Sequence, residues 1–427
     1  HLQADFFDRR YHALGNHIAA HDAAKDIDQY ALHIGIRGDD FERFGDLFFG
    51  GAAAYIQKVG RFGAIKLDDI HGRHGKACAV HHTANLTIQS DVIEVVFRSL
   101  KFFGVFFGGI AQLADIDNDQ YLLINLDGPC PAGAELKKVG HWLTRQTKVV
   151  VGFSTHQANG LSVFVDVIAS NPAELNRILS QISANPVSAT VLVQVLRTTK
   201  NMPVQDALTV ESLAFSTLQS GTEFASWLQQ YRKEHPEQTS GNPLDESPAV
   251  LLSRDNDNLK IVLNRPDNQN AFSAEMRDAL FEAFQLVALD KTISRAQVSA
   301  LGPCFCTGGD LKEFGQYNNA AEAHLIRTIR LPSRLIADAP DKFEFHLHRA
   351  CVGSGIEIPA FANSVSATSK TYFQLPEISM GLIPGAGGCI SIPRRIGSQR
   401  TAYLALSGKR INASTALEWG LIDSIVD

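Results

Sequence analysis

The spacing of apolar residues changes as the chain is followed. Residues 1 to about 116 show no sustained helical or strand period, although Ser90 to Phe107 is apolar enough for a strand or a short helix. From about Asp117 the pattern becomes regular. Tyr121–Leu126 and Lys148–Phe153 predict strands, and Leu161–Ala169 predicts a third. Asn171-Pro172-Ala173-Glu174 predicts a helix start, with an Asn cap, Pro at the first helical position and an acid in the first turn. Leu175, Ile178, Leu179 and Ile182 then fall on one face. Asn185-Pro186 opens a second helix with Ala189, Leu192, Val193 and Leu196 inward. A third is predicted from about Val204 to Ser220, with Ala207, Leu208, Glu211, Ser212, Phe215 and Leu218 at helical spacing, and Thr222–Tyr231 forms a fourth. Glu211, beside that apolar stripe, is expected to be solvated or capped rather than a buried acid.

The polar stretch 233–248, with Pro236, Gly241, Pro243 and Pro248, predicts a linker. After it, Ala249–Ser253 and Asn258–Leu263 predict two strands joined through Asp255-Asn256-Asp257-Asn258. Ser273 caps a helix whose expected inward face is Met276, Leu280, Phe284 and Leu286-Val287. The order strand, strand, helix then repeats. The organisation expected is an atypical segment 1–116, a module 117–232, a linker 233–248 and a larger domain 249–427.

Composition narrows the classes. With 427 residues, 45% hydrophobic and 20% charged, the chain is long enough for two or three domains with real cores. A formal net charge of −6 gives no electrostatic case for nucleic acid, and no run of about 18 apolar residues suggests a membrane span. The six cysteines form no CxxC pair, which predicts reduced thiols in a cytoplasmic setting. Cys304 and Cys306 stand too close for ordinary metal-ligand spacing and are expected to be packing residues.

Nine of the fifteen histidines fall in 1–116. His71, His74, Cys78, His81 and His82 are zinc-ligand types, but their spacing matches no zinc module, and no metal site is assigned. The chain opens on His1 and its first methionine is Met202. With phrases such as His17-Ile18-Ala19-Ala20-His21-Asp22-Ala23-Ala24, this segment resembles high-GC DNA translated in a frame not selected for folding. No functional site is expected there.

The candidate chemistry lies between Cys304 and Gly388. Thr307-Gly308-Gly309-Asp310-Leu311 and Val352-Gly353-Ser354-Gly355-Ile356-Glu357 are two turns of small residues, able to aim backbone N–H groups at one oxygen. Glu357 and Glu377, twenty residues apart, can move protons beside them. That combination suggests acyl chemistry through an enolate-like intermediate. Gly385-Ala386-Gly387-Gly388 is no dinucleotide fingerprint, because it follows Pro384 and lacks the GxGxxG spacing.

The series Asn264-Arg265-Pro266, Asn270-Ala271-Phe272-Ser273, Phe305-Cys306-Thr307-Gly308-Gly309-Asp310-Leu311, Gly353-Ser354-Gly355-Ile356-Glu357, Leu375-Pro376-Glu377, Ile383-Pro384-Gly385-Ala386-Gly387-Gly388 and Leu406-Ser407-Gly408-Lys409-Arg410-Ile411 resembles the crotonase superfamily of enoyl-CoA hydratases and isomerases. The resemblance covers about Ala249 to Asp427. It implies an α/β fold of the ClpP/crotonase type, a ββα spiral, here preceded by a helical, partial crotonase-like module. It implies that the N–H groups of Gly309 and Ser354 form an oxyanion hole, that Glu357 and Glu377 are catalytic, and that Gly309, Asp310, Leu311, Lys312 and Ser354 line an acyl-CoA substrate. Coenzyme A would arrive on that substrate, with no separate cofactor, and the assembly would be a homotrimer or hexamer. Hydration or isomerisation of an enoyl-CoA is expected. The alternatives are thioester hydrolysis, decarboxylation, or a non-catalytic partner subunit.

The sequence departs from the family pattern at several places. Arg349 stands where a small residue is usual, a costly choice if φ there is positive. Ser354 replaces Gly or Ala but keeps its N–H. Asn363 stands in place of Asp, and Gln297-Val298-Ser299-Ala300 is more polar than the usual buried strand. The helices with which family members close are absent after Asp427, whereas 172–231 resembles them. The expectation is therefore that 117–232 lends those helices to the catalytic half.

Overall fold

Three short runs rich in Val, Ile and Leu pair side by side where the described residues begin. In the computed structural model, which describes residues 120–236, 247–316 and 319–427, these are β1 (Tyr121–Asn125), β2 (Val149–Phe153) and β3 (Val167–Ala169), parallel and in that order. Helix α1 (Gly133–Thr144) is the crossover from β1 to β2. All five residues of β2 are buried, because the two-residue period sends Val150 to one side and Val149 and Val151 to the other. Val150 joins Leu122, Leu126, Leu143, Leu161 and Val165, whereas Val149 and Val151 enter the main core. The strand expected over 161–169 is cut short. Asn159 accepts the Leu161 N–H at 2.9 Å and nucleates a 3₁₀ turn over Gly160–Phe164, so only Val167–Ala169 pairs. Segment 1–116, including its histidine cluster and Ser90–Phe107, lies outside the described residues, as does 237–246 of the expected linker.

Four helices follow. α2 (Pro172–Ala184) is capped by Asn171, whose side chain takes the Glu174 N–H at 3.0 Å. α3 (Pro186–Thr199) leaves α2 through a 107° bend at Asn185. Pro186 has no N–H, and its ring pushes Asn185 out of the helical region, to φ −137° and ψ 66°. α4 (Val204–Gln219) and α5 (Thr222–Glu234) complete the group. Glu223, in the first turn of α5, accepts the N–H groups of Val187 and Ser188 at 2.7 and 3.0 Å, so α5 caps α3. Among the described residues no single helix is long and apolar enough to cross a membrane.

The second half runs β4 (Val250–Asp255), β5 (Asn258–Leu263), α6 (Ala274–Leu289), β6 (Arg295–Ala300), α7 (Ala320–Arg330), α8 (Pro332–Asp338), β7 (Phe343–Leu347), β8 (Ala350–Val352), α9 (Ser354–Glu357), β9 (Ser364–Ala367), β10 (Tyr372–Gln374), α10 (Gly388–Ile396), α11 (Ser398–Ser407), β11 (Ile411–Asn412), α12 (Ala413–Trp419) and β12 (Ser424–Ile425). One sheet has the order β12-β9-β7-β6-β5-β4, parallel except for the β4–β5 hairpin. A smaller sheet, β11-β10-β8, carries the site. Phe284 of α6 meets Phe343 and Phe345 edge-on, at ring-centroid distances of 5.0 and 6.4 Å. Val287 shares that buried face, but Leu286 is 41% exposed, since one helical step turns it away. Gln297, polar within a strand, is paired: its Oε1 accepts from Asn258 at 2.8 Å.

Candidate active site

After β6 the chain crosses to the smaller sheet. The N–H groups of Phe305 and Cys306 donate to the carbonyls of His348 and Ala350 at 2.9 and 3.1 Å, and Val352 N–H returns to Cys306 O at 3.1 Å. Two bonds then fix the peptides on either side of Gly309: Phe272 N–H to Gly308 O at 2.7 Å and Asp310 N–H to Phe272 O at 3.2 Å. The N–H of Gly309 itself has no acceptor among the described residues.

The second turn begins where β8 ends. Gly353 has φ 51° and ψ −121°, a combination open to glycine alone, and a Cβ there would lie 2.6 Å from Glu377 Oε1. That turn makes Ser354 the first residue of α9, and the first N–H groups of a helix have no partner inside it. The Ser354 N–H likewise has no acceptor among the described residues. Cys306 ties the two turns together, its Sγ lying 3.7 Å from Ser354 Oγ.

Glu357 and Glu377 meet at Gly353. The position a Cβ would take there is 2.6 Å from Glu377 Oε1 and 3.6 Å from Glu357 Oε1. Their surroundings differ. Glu357 is buried, and its Oε2 accepts the N–H groups of Ala386 and Gly388 at 2.7 and 2.9 Å. Burial pushes its carboxyl up to about 7, the two N–H groups opposing the rise. Glu377 is half-buried as a residue, yet its Oε2 is sealed from solvent with no hydrogen-bond partner. Burial lifts its carboxyl well above the usual range, and the charge of Glu357 lifts it further.

The upstream helices cover these turns. Phe215 of α4 lies against Gly385, Glu223 and Phe224 of α5 lie against Gly381, and Leu228 and Arg232 lie against Gly315. Phe314, after the first turn, sets its ring beside Gly309 and within an aromatic group with Phe224 and Trp227. Glu211 corrects the expectation made for it. It is 1% exposed, and its Oε1 and Oε2 accept the N–H groups of Gly387 and Cys389 at 2.7 and 2.8 Å. The signal for this was an acid inside an apolar stripe. Its partner, a glycine-rich loop with four N–H groups to satisfy, could not be matched to it by spacing.

The other predicted residues sit on the first turn. Asp310 accepts the Lys312 N–H at 3.0 Å and the Asn268 amide at 2.9 Å, which holds the turn closed. Leu311 and Lys312 are half-buried beside it. Arg349 does take a positive φ, 57°, so its departure from a small residue falls where a side chain is strained. Cys304 and Cys306 are buried, and burial raises the Cys306 thiol to about 11, which suits packing rather than nucleophilic duty. Among the described residues no group of three or more His, Cys, Asp or Glu is placed to hold a metal.

Two N–H groups without acceptors among the described residues and two meeting glutamates are set on an α/β fold of the crotonase type, whose sheet alternates strands with crossover helices. Residues 254–427 match the model of the enoyl-CoA hydratase/isomerase family. An enoyl-CoA isomerase/hydratase of Mycosarcoma maydis is 30% identical over 174 residues, 39% of this chain and 64% of that protein. The trans-2-decenoyl-(acyl-carrier-protein) isomerase of Streptococcus mutans is 29% identical over 182 residues, 42% of this chain and 69% of that one. The chain thus spans about two thirds of the length of these relatives. A solved enoyl-CoA hydratase from Thermoplasma volcanium is similar at 30% identity, with a TM-score of 0.40, over 43% of this chain and 74% of its own.

Proposed function

We propose that the chain hydrates a 2-enoyl thioester, with coenzyme A carried in by the substrate and no resident cofactor. The observation that carries this is the meeting of Glu357 and Glu377 at Gly353 in unlike surroundings. Where neighbouring acids are held at different proton affinities, the roles separate: the lower keeps its charge and the higher keeps its proton. Two N–H donors make Glu357 the base, and the desolvated, unpartnered oxygen of Glu377 makes it the acid.

In the proposed reaction the thioester oxygen lies between the N–H groups of Gly309 and Ser354, where negative charge develops as the enolate forms. Glu357 takes a proton from water as the water oxygen bonds to C3. Glu377 gives its proton to C2. The pair holds one proton before and after, on opposite partners, and exchange between them resets the site. Asp310, Leu311 and Lys312 line the entering acyl-CoA. The helices of 172–231 take the place of the family's closing helices, and 117–232 is a partial crotonase-like module lending them. Assembly as a homotrimer or hexamer and action in the cytoplasm belong to the same proposal.

A second reaction uses the same groups. Abstraction of a C2 proton from a 3-enoyl thioester and its return at C4 needs one carboxylate and the same two donors, and both relatives above carry isomerase in their names. The test is turnover of crotonyl-CoA, followed by the ultraviolet absorbance of the conjugated thioester, beside 3-enoyl substrates on coenzyme A and on acyl carrier protein. Hydration abolished by Glu377→Gln supports a hydratase. Interconversion of 3- and 2-enoyl thioesters without hydration replaces it with an isomerase. Binding without any turnover overturns both and leaves a partner subunit.

A further inference from the structure

The loop after Pro384 and the first turn of α10 present four successive backbone N–H groups, and two carboxylates share them alternately. Ala386 and Gly388 donate to Glu357, at 2.7 and 2.9 Å. Gly387 and Cys389 donate to Glu211, at 2.7 and 2.8 Å. Gly387 has φ 106°, a value that glycine adopts without strain, and this rotation lets neighbouring N–H groups face different acids. Gly388 opens α10, so the helix N-terminus adds its own attraction for negative charge.

We propose that Glu211 is a positioning residue for the proton chemistry of this site: by gripping Gly387 and Cys389 it holds the loop in the register that aims Ala386 and Gly388 at Glu357. The inference rests on the acid–base reading of Glu357 above. Glu211 comes from α4, 146 residues ahead of Glu357 in sequence, and is fixed there by its helix. Arg334 of α8 donates to Gln205 Oε1 at 3.0 Å and to Thr209 Oγ1 at 3.1 Å. Arg327 of α7 donates to Ser216 at 2.5 Å and lies 4.4 Å from the Phe215 ring centroid. One side of the grip is therefore anchored by the upstream module and the other is the candidate base.

The charged and titratable groups facing Glu211 are Glu357 from α9, Glu377 from the turn after β10, Cys389 from α10, Arg327 from α7 and Arg334 from α8. Burial, then the charge of Glu357, holds the Glu211 carboxyl well above its usual range. The rise at Glu357 comes from burial opposed by its two N–H donors, with no part from the charge of Glu211, so removing Glu211 does not act chiefly by removing a charge. It acts through the loop. A Gln at 211 keeps one acceptor oxygen and turns an NH₂ group toward the other backbone N–H, so the loop rotates away and Glu357 loses donors that favour its ionised form.

The experiment compares the full chain with Glu211→Gln, Glu211→Ala and Arg334→Ala, reading the Glu357 carboxyl directly by ¹³C NMR titration with Glu357→Gln for assignment. Glu211→Gln is expected to move the Glu357 midpoint upward by about half a unit or more, and Glu211→Ala further, as lost hydrogen bonds to a carboxylate do. Arg334→Ala, which loosens α4 but spares the grip, is expected to lower thermal stability with the midpoint unmoved. A midpoint unchanged or lowered in Glu211→Gln overturns the proposal and leaves Glu211 a structural acid. Because the titration needs no turnover, an inactive chain would overturn the enzymatic reading and leave this result standing. Where turnover is present, the ascending limb of kcat against pH moves with the same midpoint and KM changes little.

Discussion

The N–H of Ser354 has no acceptor among the described residues and is left to a ligand. It starts α9, where proline is tolerated because its missing N–H would have had no partner. The preceding Gly353, at φ 51° and ψ −121°, is extended in the mirror sense, which also accepts a following proline. Ser354→Pro is thus expected to fold with a melting temperature close to the parent while kcat falls by about 10²–10³, the usual cost of one lost oxyanion donor. Circular dichroism and crotonyl-CoA kinetics check the two halves. The paired acids give a second prediction. Activity should rise as pH passes upward through about 7, where Glu357 ionises, and fall when Glu377 loses its proton; the two apparent values belong to the pair. Stability has the opposite sign. Both folded-state values lie above the unfolded carboxyl range, so the stabilisation is complete below about pH 4.5 and is lost as pH rises through the folded values. Urea denaturation between about pH 5 and about pH 8 should show Glu377→Gln gaining on the parent, by at most about 1.4 kcal/mol per unit. Arg349, exposed at φ 57°, adds a third. Arg349→Gly is expected to be neutral or stabilising by up to about 1 kcal/mol, and Arg349→Val destabilising by about 1 kcal/mol or more, in the same denaturation assay.

At the scale of elements, α4 decides whether the turns are covered. Its buried residues Ala207, Leu208 and Leu218 supply apolar contact, and Arg334, Arg327 and the Ser212–His324 hydrogen bond supply polar ties to the second half. Arg334→Ala is expected to cost about 1–3 kcal/mol, since it takes the donor from Gln205 Oε1, and to speed hydrogen exchange across 204–219 more than across β5 or β6. Much of this level was legible in the chain itself. Caps at Asn171 and Ser273, prolines at 172 and 186, and the stripe from Leu175 to Ile182 each act through neighbours within four residues. The strand expected over 161–169 failed for the same kind of reason. Asn159 offers its side chain to Leu161 N–H, a bond that apolar periodicity does not register.

At the scale of the molecule, every group in the proposed reaction lies between Glu211 and Cys389, leaving the histidine-rich stretch 1–116 without an assigned part. A chain beginning at Asp117 is expected to keep kcat and melting temperature, measured side by side with the full chain; loss of either would give that stretch a role. The sequence alone determined the order of motifs: Gly308-Gly309, Gly353-Ser354, Glu357 and Glu377 are close in the chain, and their backbone needs are written in glycine. It determined the helices of 172–234 as well. What it left open was the partner of each buried group. Glu211 is a helical acid among apolar neighbours until tertiary packing brings it to Gly387 and Cys389, 176 and 178 residues away. Burial then changes the chemistry, since a carboxyl removed from water takes its proton affinity from whichever N–H groups and charges the fold sets beside it. The donor side of Gly309 and Ser354 was legible because one peptide's conformation creates it. The division of labour between Glu357 and Glu377 was decided by a loop and a helix from different parts of the chain.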